Sequence, residues 1–173
     1  MASQATGAAV QSAAGDSRSR SGKYLTFKLA GEEYGLEILR VTTIIGVMEI
    51  TAVPQTPSYV RGVINLRGKV IPVVDMRAKF GMATTADTSE TCIIVVEVRK
   101  GAEAVQMGVL VDSVSEVLNI AGDDIEDAPS FGGAQVDTEF ILGIAKAGSS
   151  VKILLDIDKV LVGTDAVVET GPE

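Results

Sequence analysis

The sequence predicts an all-β fold, on three observations. Its apolar content is 46% while aromatics are only 4% and Trp and His are absent, so Val, Ile, Leu and Ala must fill the core. Of these, Val and Ile favour strands. Apolar and polar residues alternate over short runs, and turn signals recur at close intervals between them. About nine or ten such runs can be counted, a pattern that suggests barrels or a sandwich.

The elements follow in order. Residues 1–22, rich in Ala, Ser, Gly and Gln, lack the apolar stretch of a secretory signal and are expected to be a disordered tail. From Tyr24, Leu25, Phe27 and Leu29 face one way and Thr26 and Lys28 the other, the period of a half-buried strand. Gly31-Glu32-Glu33 turns the chain and Tyr34 to Ile38 returns as the second arm of a hairpin. Further strands are expected at Leu39 to Ile45 and around Val47 to Thr51. Pro54 and Pro57 then mark a loop, because proline cannot donate to a ladder.

Val63 to Leu66 and Lys69 to Val74 flank Arg67-Gly68, a two-residue connection whose glycine tolerates the positive φ of a tight turn. Asp75 to Phe80 can form a short helix with Asp75 as its cap and Gly81 as its stop. After a polar connector at Met82 to Glu90, strands are expected at Thr91 to Arg99, Val105 to Asp112, Ser113 to Ile120, Phe140 to Lys146 and Val151 to Leu155. Asp156 to Val162 closes with a helical turn or two, and 163–173 is expected to be a flexible tail.

Composition also excludes function classes. A net charge of −8 opposes a nucleic-acid groove or an anionic membrane surface, so the expected partners are proteins. A nucleic-acid-binding barrel would need basic stacking platforms that three Tyr and four Phe in an acidic chain do not supply. Without His and with Cys92 alone, the usual zinc sites and His-based triads are absent. Cys92, inside an apolar run, reads as a small buried side chain, and a reducing cytoplasmic setting fits. No phosphate-cradling glycine loop is present. The carboxylates Asp123, Asp124, Glu126 and Asp127 lack the ligand alternation of a calcium loop and read as a solvated acidic loop. A hydrolytic enzyme built on that cluster is a rival reading without a pocket to support it. No metal and no cofactor is expected.

The run Arg61-Gly62-Val63-Ile64-Asn65-Leu66-Arg67-Gly68-Lys69-Val70-Ile71-Pro72-Val73-Val74-Asp75-Met76-Arg77, continuing to Lys79-Phe80-Gly81, strongly resembles the signature of the CheW family. Similar agreement appears at Phe27 to Val41 and at Gly108 to Asp112 with Val114, Val117 and Leu118. The resemblance implies two intertwined five-stranded SH3-like β-barrels with one or two short helices, occupying residues 23–162 with a changeover near 82–90. It implies a non-catalytic adaptor located beneath the inner membrane at receptor arrays. Its partners would be the regulatory domain of the histidine kinase CheA and the cytoplasmic tip of methyl-accepting chemoreceptors, with a non-flagellar kinase pathway as the alternative setting. Val41, Gly62 and Arg67 carry over as receptor-contact candidates, and Phe131, Glu126 and Ser130 as kinase-contact candidates. Family members usually carry Glu at the position of Thr43, where it can pair with the hairpin Arg; here Arg67 takes another acceptor or stays free for the partner.

Overall fold

A computed structural model describes residues 20–128 and 140–161. Eleven strands and two short helices run in the order β1 (Gly22–Leu29), β2 (Glu32–Glu37), β3 (Val41–Gly46), β4 (Val60–Leu66), β5 (Lys69–Asp75), α1 (Met76–Lys79), β6 (Cys92–Lys100), β7 (Glu103–Val111), β8 (Ser113–Ile120), β9 (Ile125–Glu126), β10 (Ile141–Ala147), β11 (Ser150–Leu155) and α2 (Ile157–Val160). The all-β expectation is met. One sheet has the order β3-β6-β7-β5-β4, and the other β8-β1-β2-β11-β10-β9.

Each sheet closes on itself through the chain that leaves one edge strand. After β3, Thr51 exchanges backbone hydrogen bonds of 2.9 Å in both directions with Val63 of β4. After β8, a 3₁₀ turn at Gly122–Asp124 leads into β9, which pairs with β10. Two barrels result, intertwined because the first combines β1 and β2 with β8 to β11 while the second lies between them in the chain.

The two barrels repeat one another with the chain order permuted. Tyr59 through Phe80 matches Phe140 through Leu161 without a gap, so β4-β5-α1 corresponds to β10-β11-α2. The parallel pairing of Val73 with Gly108 recurs as Leu154 with Gly35. The antiparallel pairing of Val95 with Gly108 recurs as Thr26 with Gly35. Asp75 and Asp156 cap the two helices, and their backbone N–H groups donate to Tyr59 and Phe140 at 2.7 and 2.8 Å.

Burial divides into three parts. Ile64, Ile71, Val73, Ile93, Val95 and Leu110 fill the second barrel, and Tyr24, Ile120, Ile125, Ala145 and Leu154 fill the first. A larger core lies between them, where Leu25, Phe27 and Leu29 of β1 meet Ile94, Val96 and Val98 of β6 and both helices. Strand β6 is therefore buried on both faces, which explains why Ile93 to Val96 read as an unbroken apolar run. Phe27, Tyr34, Phe80 and Phe140 stack in succession, with centroids 5.8, 6.0 and 5.7 Å apart, and tie the second barrel's helix to the first barrel.

Two carboxylate clasps flank this shared core. Arg77 of α1 donates to both oxygens of Asp112, at 2.8 and 2.6 Å, and Asp112 also accepts the Ala30 N–H at 2.9 Å. Opposite, Asp158 of α2 accepts from Arg40 and takes the Arg99 N–H at 2.8 Å. Ala30 and Arg99 are equivalent positions in the repeat, so the same amide is held each time while the helix and crossover exchange charge. Hydrogen bonding from Arg77 holds the Asp112 carboxyl below the usual range, against burial and helped by the Ala30 amide. For Asp158 burial pushes upward, but hydrogen bonds from Arg40 and the Arg99 amide outweigh it and the carboxyl is lowered.

Two sequence expectations need correction. The strand expected at Leu39 to Ile45 begins only at Val41, because Ile38–Arg40 form a 3₁₀ turn where the chain crosses between barrels. That turn lets Arg40 reach the Glu97 carbonyl and Asp158. No strand forms at Val47 to Thr51: only Thr51 pairs, because this segment must leave β3 and wrap across to β4. Cys92 is half-buried, with its thiol directed to the Glu90 carbonyl at 3.3 Å.

Candidate partner-docking surfaces

The β4–β5 hairpin turns through Arg67 (φ 55°) and Gly68 (φ 86°), two consecutive left-handed residues as a type I′ turn requires. Asn65 Oδ1 accepts the Gly68 N–H at 2.9 Å and fixes the turn. Glycine takes this conformation freely, whereas arginine pays on the order of 1 kcal/mol for it. The Arg67 guanidinium is exposed and has no hydrogen-bond or ion-pair partner among the described residues. Thr43, half-buried and paired with Val95, supplies no carboxylate there. The fork of donors is thus free to meet a carboxylate or backbone carbonyls of a partner, which lysine could not match in geometry.

Val41 and Arg67 both belong to the second barrel, Arg67 at the tip of the β4–β5 hairpin and Val41 at the level of the middle of β7. Lys69, beside the turn, reaches Gln106 at 3.3 Å, next to Met107, which pairs with Val96, the partner of Val41. Val41 itself is half-buried against the core between the barrels. Gly62 is placed differently. It is buried at φ 144°, and a Cβ there would lie 2.1 Å from the Thr51 carbonyl oxygen. Its role is to let the wrapping segment close the barrel, and Gly143 does the same under β9, where a Cβ would meet Ile125 at 2.6 Å.

Among the kinase-contact candidates, Glu126 lies exposed on β9 with its carboxylate 3.0 Å from Lys146 Nζ. Ser130 and Phe131 lie outside the described residues. Among the described residues no group of three or more His, Cys, Asp or Glu is arranged to hold a metal ion, and no helix is long and apolar enough to cross a membrane.

A further set is not among the contact candidates carried over from the sequence. Val70 and Val151 are 71% and 57% exposed and occupy the same place in the repeat; Ile44 and Val117, 40% and 49% exposed, occupy another. Each barrel therefore presents two outward aliphatic side chains at matching positions. The ungapped match of Tyr59–Phe80 with Phe140–Leu161 was the available signal for the first pair. The second pair needs the register, because alternation alone does not say which face is covered.

The family of the CheW-like domain matches residues 23–164. "Chemotaxis protein CheW" of Klebsiella aerogenes is 36% identical over 139 residues, spanning 80% of this chain and 81% of the relative. The protein of the same description in Bacillus subtilis is 34% identical over 140 residues, spanning 80% and 86%. Among solved structures, the scaffolding protein TtCheW from Thermoanaerobacter tengcongensis superposes with a TM-score of 0.72 at 35% identity, covering 82% of this chain and 93% of that one.

Proposed function

Because the chain belongs to the CheW-like domain family, we propose that it is a non-catalytic chemotaxis adaptor that couples chemoreceptors to the histidine kinase CheA in the cytoplasm, at receptor arrays. The observation that carries this reading is the doubling of exposed aliphatic positions, Ile44 with Val70 on one barrel and Val117 with Val151 on the other. An adaptor needs two separate surfaces, and apolar anchors ringed by polar residues provide most of the affinity of such contacts. Receptor engagement is assigned to the second barrel, through Arg67 and Val41, with Gly62 acting through the backbone it permits. The kinase regulatory domain is assigned to the region of Glu126, Ser130 and Phe131.

Signals would then pass by altered docking and not by chemistry on this chain. The decisive experiment is reconstitution of kinase, receptor and this protein. Kinase autophosphorylation is expected to come under receptor control only when the protein is added, and Arg67→Ala should weaken that control. A protein that binds neither kinase nor receptor would overturn the proposal.

A further inference from the structure

Leu39 is 90% exposed, the most exposed large apolar side chain among the described residues. It sits in the middle of the 3₁₀ turn Ile38–Arg40, which the Val41 N–H closes onto the Ile38 carbonyl. Arg40 pins that turn, donating to the Glu97 carbonyl through Nε and Nη2 and to Asp158 through Nη1 and Nη2. A knob fixed in this way loses little freedom on contact. Beside it lies a cleft of about 270 Å³, walled by Lys23 and Tyr24 of β1, Glu37 of β2, and Glu97 and Arg99 of β6. In the second barrel the positions equivalent to Glu37, Ile38 and Leu39 are Leu110, Val111 and Asp112. There Thr85, Ala86 and Asp87 face them across a cleft of only about 20 Å³, so the open cleft belongs to the first barrel alone.

Both signs of charge line this cleft. Arg40 is neutralised by Asp158, which leaves Lys23 and Arg99 against Glu37 and Glu97 and makes the wall neutral on a chain of net charge −8. Glu37 is half-buried, attracted by Arg40 and repelled by Asp156 and Asp158, and Arg99 also feels Asp158. None of the four wall charges is in an ion pair among the described residues. We propose that this face pairs with the same face of a second copy of the chain in a two-fold dimer, each Leu39 entering the other's cleft while Lys23 and Arg99 of each copy meet Glu37 and Glu97 of the other. A two-fold contact requires one patch to complement itself. Here a knob and a cleft, and cations and carboxylates, lie side by side on one patch. A partner of one sign would satisfy half of these charges and repel the other half. A neutral wall also lets two acidic chains approach where the rest of their surfaces repel. None of Val41, Arg67 and Glu126 lines the cleft, so this contact is separate from those proposed for receptor and kinase.

Sedimentation equilibrium of the full chain over a concentration series reaching the millimolar range tests this. The mean mass is expected to rise from one chain toward two, and Leu39→Asp to weaken association by more than about tenfold. Lys23→Glu with Arg99→Glu leaves only carboxylates on the unpaired wall, and Glu37→Gln with Glu97→Lys leaves only cations. Each of these two preparations should stay monomeric alone, and the two should form a mixed dimer when combined. Melting curves report that the variants are folded, and Leu39→Asp, an exposed change, carries the test by itself if a charge variant is not. A single-chain mass at every concentration would overturn the proposal, as would a dimer that survives Leu39→Asp or charge variants that stay monomeric on mixing. So would a dimer dissolved by Val70→Asp and not by Leu39→Asp, which would give self-association to the β4–β5 hairpin.

Discussion

Arg67 combines an unfavourable backbone with a side chain that has no partner among the described residues, so stability and the proposed contact can be tested separately at this position. Asparagine accepts left-handed geometry more readily than arginine. Arg67→Asn is therefore expected to leave the fold intact and to raise unfolding free energy by about 0.5 kcal/mol, while lowering receptor affinity in the same preparation. Denaturant unfolding and a receptor pull-down read the two effects; loss of stability together with binding would assign Arg67 a structural role. Gly62 should behave in the opposite way. A methyl group aimed at a backbone carbonyl 2.1 Å away, at a φ that side chains avoid, forces the wrapping segment off β4. Gly62→Ala is expected to cost about 3 kcal/mol, measured by the same unfolding curves. The sequence marked both residues, but only the fold showed that Arg67 is exposed at a turn while Gly62 is buried where no side chain fits.

At the scale of elements, the strands and turns were legible because their signals are local. Alternation located β1, the Arg67-Gly68 turn located the β4–β5 hairpin, and Asp75 announced α1, whose Arg77 N–H it caps at 3.0 Å. The 3₁₀ turn at Ile38–Arg40 and the largely unpaired run after β3 were not legible, because the first redirects the chain between barrels and the second wraps from one edge strand of a barrel to the other. The clasps that flank the shared core make a testable contribution. Asp112 and Asp158 have folded pKa values below their unfolded ones, so the stability they contribute is present above the unfolded value and is lost as pH falls through the folded value. Since an unperturbed Asp titrates near 3.9, the loss should begin below about pH 4 to 5. Asp112→Asn and Asp158→Asn should each lower the melting temperature at pH 7 and flatten the acid limb of a melting series from pH 7 to pH 2. Glu37 has the opposite sign: burial, opposed by Arg40 and reinforced by Asp156 and Asp158, raises its pKa, so its ionised form opposes folding at neutral pH. Glu37→Gln is expected to raise the melting temperature at pH 7 and to have less effect at pH 4.

For the molecule as a whole, the largest apolar cluster lies between the barrels and not inside either, so neither barrel has a complete core alone. The first barrel also takes its strands from both sides of the second in the chain. Unfolding should therefore be a single transition, with Phe80→Ala lowering the stability of both barrels together by about 3 to 5 kcal/mol through the aromatic stack. Hydrogen exchange of β5 and β11 amides would read this, and independent transitions for the two strands would contradict it.

What the sequence by itself determined is the class of fold, the positions of the hairpins and helix caps, the exclusion of His-based chemistry and, through one long motif, the family. These depend on residue types and on contacts between near neighbours, which periodicity and turn chemistry record. Tertiary structure alone decided which strands close each barrel, why Gly62 and Gly143 must lack side chains, where the charge-exchanged clasps sit, and that Ile44, Val70, Val117 and Val151 face outward in matching pairs. Those features join residues far apart in the chain. A strand's alternation says that it has two faces, but only the packing of one barrel on the other says which face water can reach.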